Sequence, residues 1–317
     1  MAQKIKSGFE TCMGHGTKVG GERRLCRFIK SMAMIVLFLM ATTLAQHNIQ
    51  AEEAGDIDTE VFFHRAKEIE LPVVMYHLVT ENPKYVGKYG ITPEELESDL
   101  AYLKENNYNT VVMRDLIDFV NNGTKLPKNP IMLTFDDGNA GDYIYLLPML
   151  KKYEMTAVLA ILGEATDRCT KTMEDHPSSR VPNLTWAQVK ELHESGHAEI
   201  QNHSYDLHTP PVGSGKKSGE SAEEYHARLL ANLKKLQDSC SAHLGYVPNT
   251  YVYPLGVLGE NSRAVLEELG MVGSISCQEG MNIIRQGDKD CLFLIQRTNR
   301  PSGRGIECIL KSIKNTK

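Results

Sequence analysis

Two adjacent carboxylates are the first residues of this sequence that could do chemistry. Asp136-Asp137-Gly138 follows an apolar run at 130–135 that is typical of a buried strand. Successive side chains of a strand point to opposite faces, so both carboxylates share one site only where the strand ends and the chain turns, as Gly138 allows. Two ionised carboxylates this close repel each other unless a cation lies between them. The pattern by itself is compatible with a metal site and equally with a solvated Asp-Asp-Gly turn.

A histidine pair follows another predicted strand. His203 and His208 are five residues apart, a spacing that puts them on opposite faces of a strand and roughly 140° apart on a helix. They converge only if the segment turns, and Ser204 and the proline pair at 210–211 are typical of a turn. Two imidazoles with one carboxylate leave open coordination positions, which suits a catalytic divalent metal. The alternative is that one histidine of the pair is a surface residue.

A rival metal motif begins at His193, where the residues 193–197 match the HExxH pattern of zinc metallopeptidases. That site needs both histidines on one face of a helix. Gly196 is a typical helix terminator, and His197 opens the next predicted strand. The metallopeptidase is therefore the less favoured interpretation.

Two weaker features lie at the ends of other predicted strands. His77 comes near the end of the strand predicted at 73–79, and Tyr253-Pro254-Leu255-Gly256 ends the strand at 250–253. A histidine there is either a core residue or part of the same site. The turn at 253–256 is suited to presenting a backbone N–H group or lining a groove.

The elements that must position these residues alternate between strand and helix. Strands are predicted at 73–79, 110–113, 130–135, 156–162, 198–203, 250–253, 272–276 and 292–297, and helices at 93–106, 114–121, 142–153, 186–195, 222–239, 261–269 and 306–314. Strands separated by helices imply parallel βαβ units. The sequence lacks a GxGxxG turn, which favours a barrel over an open dinucleotide-binding sheet. We predict an α/β fold, a distorted (β/α) barrel of about seven strands in a single catalytic domain at 71–317.

Charge and cysteine usage limit the partners and the metal ligands. The chain has 317 residues and a formal charge of −5, but residues 1–45 are basic, so the remainder carries about −10. An acidic body argues against nucleic acid as a partner. Five cysteines follow residue 45 without a CxxC pair, so we expect histidines and carboxylates to hold any metal.

The N-terminal segment predicts export. A basic stretch precedes the uncharged apolar run at 32–45, which is shorter than the ~20 residues that span a bilayer. We expect residues 1–45 to be an export signal cleaved after Ala45, or an uncleaved anchor that attaches the chain to a membrane, and residues 46–70 to be a spacer. A start at Met32 or Met34 and a buried core helix are the alternatives.

Together these motifs resemble the polysaccharide deacetylase family, carbohydrate esterase family four. TFDDG at 134–138 is similar to the first motif of the family, His203 through His208 to its histidine motif, and YPLG at 253–256 to its third. MYH at 75–77 precedes TFDDG, as in the circularly permuted branch that includes poly-β-1,6-N-acetylglucosamine deacetylases. That branch also has this longer histidine spacing. The resemblance extends from about residue 71 to residue 297.

The resemblance implies a role for each matching residue. Asp137, His203 and His208 would bind a divalent metal, usually zinc, with Co²⁺ or Ni²⁺ as alternatives. Asp136 would be the general base and His77 the general acid. The expected substrate-binding residues are Tyr253, Pro254, Leu255, Tyr205 and Arg297, with Arg300 as an alternative to Arg297. The sequence departs from the family at Asn139, where an aromatic residue or proline is usual.

The function implied is that of an exported, metal-dependent hydrolase. It would remove N-acetyl groups from N-acetylglucosamine units of a cell-wall or extracellular polysaccharide, with peptidoglycan, poly-β-1,6-N-acetylglucosamine and chitin oligomers left open. The alternative from another class is a glycan-binding protein without catalysis. The presence of Asp136 and His77 beside the ligands argues against it, because a binding module needs neither an acid nor a base.

Overall fold

The computed structural model describes residues 68–178, 180 and 182–316. The predicted export signal or anchor at 1–45 and most of the predicted spacer at 46–70 lie outside the described residues. The last three residues of that spacer belong to a strand, Glu68–Leu71, which pairs antiparallel with Asn282–Arg285. In the described part of the chain, every helix is too short or too polar to cross a bilayer.

Strands and helices alternate along the chain, as the sequence predicts. The strands are β1 Glu68–Leu71, β2 Val73–Tyr76, β3 Leu78–Val79, β4 Gly90–Ile91, β5 Asn109–Thr110, β6 Pro130–Asp137, β7 Ala157–Ile161, β8 Ala198–Asn202, β9 Thr250–Val252, β10 Gly273–Ile275, β11 Asn282–Arg285 and β12 Thr298–Asn299. The α-helices are α1 Pro93–Glu105, α2 Met113–Asn122, α3 Leu147–Tyr153, α4 Gly163–Asp175, α5 Trp186–Glu194, α6 Ala222–Leu244, α7 Ser262–Glu268 and α8 Ile306–Asn315.

Seven parallel strands form one curled sheet in the order β10-β9-β8-β7-β6-β2-β12. The short strand β5 pairs with the start of β6. The chain just before β12 also reaches the other edge strand, because the N–H of Ile295 donates to the carbonyl of Ser274 at 2.9 Å. The predicted α/β fold with a distorted barrel of about seven strands is confirmed.

Alternate residues of the central strands pack into two apolar layers. Met132 of β6 belongs to one layer with Val158 and Ala160 of β7, whereas Leu133 and Phe135 belong to the layer beneath the helices. Strand β6 is therefore buried on both faces, which explains its continuous apolar run. Both layers end at the carboxyl edge of the strands, where polar residues begin.

The structure differs from the sequence prediction at several elements, and the short strands β1, β4 and β11 are among those that were not predicted. Helix α4 was not predicted, because its buried residues are small or polar, namely Gly163, Ala165, Thr166 and Cys169, and give no apolar stripe. The strand predicted at 292–297 is irregular chain that follows a 3₁₀ turn, Lys289–Leu292; it makes an isolated bridge to Ile275 through Ile295 and leads into β12. The strand predicted at 110–113 ends at Thr110, since α2 already begins at Met113.

A buried ion pair ties α1 to the chain that follows β12. Arg300 donates to both carboxylate oxygens of Asp99, from Nε at 2.7 Å and Nη2 at 3.1 Å. The Tyr76 hydroxyl and the N–H of Ile306 donate to the same carboxylate. Asp99 thus joins β2, α1 and the start of α8.

We expect the substitution Asp99→Ala to lower the free energy of unfolding by about 3 kcal/mol, because it removes the bidentate partner of the buried Arg300 guanidinium and leaves only Glu95, at 3.5 Å, as a counter-charge. Urea denaturation of the two proteins measures this difference. The control is Asp175→Ala, which breaks an exposed pair with Lys171 and should cost about 1 kcal/mol or less. Equal losses in the two variants would contradict the structural role of Asp99.

Candidate active site

The turn that the sequence predicts after the two carboxylates is present at the end of β6. Asp137 and Gly138 both have left-handed backbone conformations, with φ of +76° and +62°. A non-glycine residue adopts this conformation at a cost, so Asp137 is held there by its surroundings. A Cβ atom at position 138 would lie 3.1 Å from the Ile161 side chain and would force it to shift, so the tight contact and the positive φ both favour glycine. The turn brings both carboxylates to the carboxyl edge of the sheet.

The two carboxylates have separate partners. Asp136 is 1% exposed and accepts two hydrogen bonds from Arg297, from Nη1 at 2.7 Å and Nη2 at 2.9 Å. Burial raises the pKa of Asp136, but the charge and hydrogen bonds of Arg297, together with electrostatic contributions from His203 and His77, outweigh burial and hold the pKa well below its usual range. Asp136 is therefore ionised at neutral pH.

Arg297 is held in place on all sides. It is fully buried, and it also donates to the carbonyl of Ser276 at 2.8 Å and to the Thr134 hydroxyl at 3.1 Å. Of the two arginines considered from the sequence, Arg297 is the one beside Asp136, whereas Arg300 pairs with Asp99. In the described structure the Arg297 guanidinium has no exposed surface and holds Asp136, and the prediction that Arg297 binds substrate stays a prediction.

Asp137 points toward the two histidines of the HSYDLH segment. Its Oδ1 atom lies 3.6 Å from Nε2 of His203 and 3.3 Å from Nε2 of His208. One ligand atom of each residue lies within 4.8 Å of the other two. The segment turns after His203, where Ser204 has φ of +80°, and this turn brings His208 back toward the strand end.

This triad fits a divalent cation. Nδ1 of His203 donates to the carbonyl of Val252 at 2.8 Å, which leaves Nε2 unprotonated and directed at Asp137. Burial lowers the pKa of His203, so the neutral, metal-binding form is favoured. Oδ1 of Asp137 is buried and accepts no hydrogen bond. A buried carboxylate oxygen without a donor is what a bound cation would satisfy.

The Asp136 carboxylate and the Asp137–His203–His208 triad border the same cleft, which has a volume of about 630 Å³. Asp136, Asp137, His203 and His208 line it on one side. His77, which follows β2, lines it as well, and its charge lowers the pKa of Asp136. The five residues that carry the sequence hypothesis therefore lie around a single cavity at the carboxyl edge of the sheet, where parallel α/β proteins bind their ligands.

Comparison with known proteins shows what this chain is similar to. Residues 123–274 match the family model for polysaccharide deacetylase. This stretch is similar to a polysaccharide deacetylase domain. Enzymes of this family are hydrolases that act on carbon–nitrogen bonds other than peptide bonds. The resemblance stated from the sequence is thus confirmed.

The relatives cover most of the chain. A poly-beta-1,6-N-acetyl-D-glucosamine N-deacetylase of Staphylococcus aureus is 22% identical over 265 residues, which are 80% of this chain and 86% of that protein. A de-N-acetylase from Aggregatibacter actinomycetemcomitans has a TM-score of 0.65 and 26% identity, covering 77% of this chain and 99% of that one. The BpsB deacetylase domain from Bordetella bronchiseptica has a TM-score of 0.58 and 26% identity, covering 73% and 96%.

Part of the predicted substrate-binding set lies away from the deacetylase cleft. The Tyr205 hydroxyl donates to Asp167 at 2.6 Å, and its ring is covered by the Lys235 ammonium at 3.7 Å. Tyr253 is 2% exposed, and its hydroxyl shares a hydrogen bond with Ser262. Pro254 is also buried. These side chains are engaged elsewhere, and of the YPLG turn only the exposed Leu255 lines the cleft.

Several cleft residues were not predicted from the sequence. They are Tyr85, Lys88 and Tyr89 from the β3–β4 loop, Cys277 and Glu279 after β10, and Asn299 of β12. The available signal was the segment NPKYVGKYG at 82–90, a glycine-containing loop with two tyrosines immediately after the MYH motif. Asn139, the departure from the family pattern, lies at the cleft and donates to the carbonyl of Asp136 at 3.2 Å.

A third carboxyl group lies buried close to the pair. Both carboxylate oxygens of Asp142 lack a hydrogen-bond partner. Burial, together with the charges of Asp137 and Asp136, raises the pKa of Asp142 well above its usual value. Its surroundings therefore disfavour a third negative charge beside Asp136 and Asp137.

The HExxH residues do not form a metal site. Helix α5 ends at Glu194, and Gly196 has a left-handed φ of +73°. His197 lies beyond the helix, with its Nδ1 atom 2.7 Å from the carbonyl of Met155. Across residues 68–178, 180 and 182–316, the group with metal-ligand spacing is Asp137, His203 and His208.

We expect the metal-stripped full-length chain to bind one equivalent of Zn²⁺, measured by dialysis and elemental analysis. His208→Ala should weaken this binding by more than about 100-fold, because losing a ligand costs more than losing a partner of a ligand. The control variant is His193→Ala, which should bind as the wild type does. Weakened binding in His193→Ala with normal binding in His208→Ala would instead support the HExxH site.

Proposed function

We propose that the chain is a metal-dependent N-deacetylase that removes acetyl groups from N-acetylglucosamine units of an exported polysaccharide. The observation that carries this proposal is that two adjacent carboxylates at one strand end have different surroundings. Asp137 faces two histidines with free Nε2 atoms, while Asp136 is ionised and held by Arg297. The names of the relatives favour poly-β-1,6-N-acetylglucosamine over peptidoglycan and chitin oligomers.

Asp137, His203 and His208 would hold the cation. Two imidazoles and a carboxylate suit zinc, with Co²⁺ or Ni²⁺ as alternatives. When bound, the cation polarises the acetamide carbonyl and lowers the pKa of a coordinated water. The hydrogen bond from His203 to the carbonyl of Val252 keeps the imidazole in the tautomer that this role requires.

Asp136 acts in this proposal as the general base. Its carboxylate lines the cleft next to Asp137 and stays ionised, so it is able to accept the proton of the attacking water. Arg297 fixes the orientation of the carboxylate through two hydrogen bonds. The base therefore needs no rearrangement at the moment of reaction.

His77 acts as the general acid. An amide nitrogen leaves poorly as an anion, so the departing amine must be protonated. The imidazole of His77 lines the cleft and interacts electrostatically with Asp136. We propose that His77 donates the proton that the leaving nitrogen accepts.

The oxyanion of the tetrahedral intermediate needs a hydrogen-bond donor. The N–H of Tyr253 already donates to the carbonyl of Ile275 at 3.0 Å, so it is not free for this role. Leu255 lines the cleft in the same turn, with a left-handed φ of +59°. We therefore propose the N–H of Leu255 as the donor.

The proposal includes export. The basic segment and the apolar run at 32–45 support it, and a polysaccharide outside the cell is accessible only to an exported enzyme. A purely glycan-binding protein is less well supported, because binding alone requires neither the ionised Asp136 nor His77 at the cleft. Attachment of the chain to a membrane through residues 1–45 stays a prediction.

The test is acetate release from β-1,6-linked N-acetylglucosamine oligomers, with β-1,4-linked oligomers in parallel. We expect release that requires added Zn²⁺, is faster on the β-1,6-linked series, and falls by about 10²–10⁴-fold in kcat for Asp136→Asn. The control Asp175→Asn changes an exposed carboxylate on α4 and should leave the rate unchanged. No acetate from either series by metal-loaded wild type would contradict the proposal.

A further inference from the structure

The cleft has an aromatic rim that the catalytic roles leave unused. Tyr85 and Tyr89, both in the β3–β4 loop, are 55% and 50% exposed. Among the large apolar side chains that are exposed in the described part of the chain, these two are the aromatic ones. Both line the same cleft as Asp136 and His208. Exposed apolar surface at a cleft commonly marks a ligand-binding region.

The loop that carries the two tyrosines is fixed by its backbone. The N–H of Leu78 donates to the carbonyl of Tyr89 at 3.0 Å, and the N–H of Gly87 donates to the carbonyl of Gly90 at 2.8 Å. A Cβ atom at Gly90 would collide with the carbonyl oxygen of Tyr85, so the loop closes only around a glycine.

The chain around β12 holds the same loop from the other side. The Asn299 side chain donates to the carbonyl of Lys88 at 2.7 Å, and the N–H of Ser302 donates to the carbonyl of Gly87 at 2.8 Å. The tyrosines are thus presented by a loop with an ordered backbone. A surface ordered before binding loses little conformational entropy when a ligand arrives.

The two rings have different neighbours. Tyr89 contacts the imidazole of His77, with ring centroids 4.8 Å apart and planes tilted by 59°. The ring of Tyr85 has the Lys84 ammonium 5.5 Å from its centre. Tyr89 therefore lies next to the proposed acid, and Tyr85 offers the more exposed ring.

We infer that Tyr85 forms the platform for the sugar unit next to the one being deacetylated, with Tyr89 between that platform and His77. This inference rests on the proposed function and specifies its substrate as a chain of at least two linked sugars. The apolar C–H face of a pyranose packs on an aromatic ring, while the tyrosine hydroxyl stays in water. The lysines of the loop also make an anionic membrane surface a conceivable partner, but the tyrosines line the catalytic cleft, which favours the glycan.

The test measures how changes to the Tyr85 side chain alter the KM for an oligomer. In Tyr85→Ala we expect KM for a β-1,6-linked N-acetylglucosamine pentamer to rise about tenfold with kcat unchanged. Tyr85→Phe keeps the ring and should restore the wild-type KM. Tyr89 is the poorer choice, because its loss would also disturb His77. The control Val247→Ala changes a side chain of similar exposure, 49%, ahead of β9 at the opposite edge of the sheet.

A binding measurement separates this inference from the catalytic proposal. In the Asp136→Asn background, calorimetry should show about tenfold weaker pentamer binding when Tyr85→Ala is added, and no change for N-acetylglucosamine itself. This readout does not depend on acetate release. Pentamer affinity and KM within twofold of the wild type would overturn the inference. So would a Tyr85→Phe variant as weak as Tyr85→Ala, or a loss confined to binding of phosphatidylglycerol vesicles.

Discussion

The buried pair of Asp136 and Arg297 is the interaction on which the site depends. It joins the end of β6 to the stretch just before β12, and Arg297 is further fixed by Ser276 and Thr134. Because Arg297 satisfies both oxygens of Asp136, that carboxylate stays ionised without a cation. The neighbouring Asp137 is left with an unsatisfied buried oxygen that faces two histidines. One ion pair thus gives two identical, adjacent side chains different surroundings.

The rest of the structure serves to hold these groups at one edge of the sheet. Parallel strands deliver His77, the two carboxylates and His203 from the same direction, so no long loop is needed to gather them. Local turns then finish the placement. Left-handed conformations at Asp137 and Ser204 redirect the chain, and the second of these returns His208 to the cleft. A backbone carbonyl, that of Val252, sets the tautomer of His203.

The sequence was sufficient to predict the curled α/β fold and to single out the residues that line the cleft at strand ends, because those positions follow from apolar runs and turn residues. It was not sufficient to choose between Arg297 and Arg300, since both lie near the end of the last predicted strand and only the three-dimensional structure shows which one meets Asp136. Tyr205 and Tyr253 were chosen by proximity to motifs, but their side chains pack against other elements. The Tyr85 rim escaped prediction because loop conformation depends on hydrogen bonds to a distant part of the chain.

The central claim is that one cation, held by Asp137, His203 and His208, is required for deacetylation. The most direct measurement is a titration of the metal-stripped chain with Zn²⁺ while acetate release from β-1,6-linked N-acetylglucosamine oligomers is followed. The account predicts no release without metal, a rise in rate up to one equivalent, and a plateau beyond it. Asp137→Ala should show no rise over the same range. Full activity in the metal-free chain, or an unchanged titration in Asp137→Ala, would contradict the account.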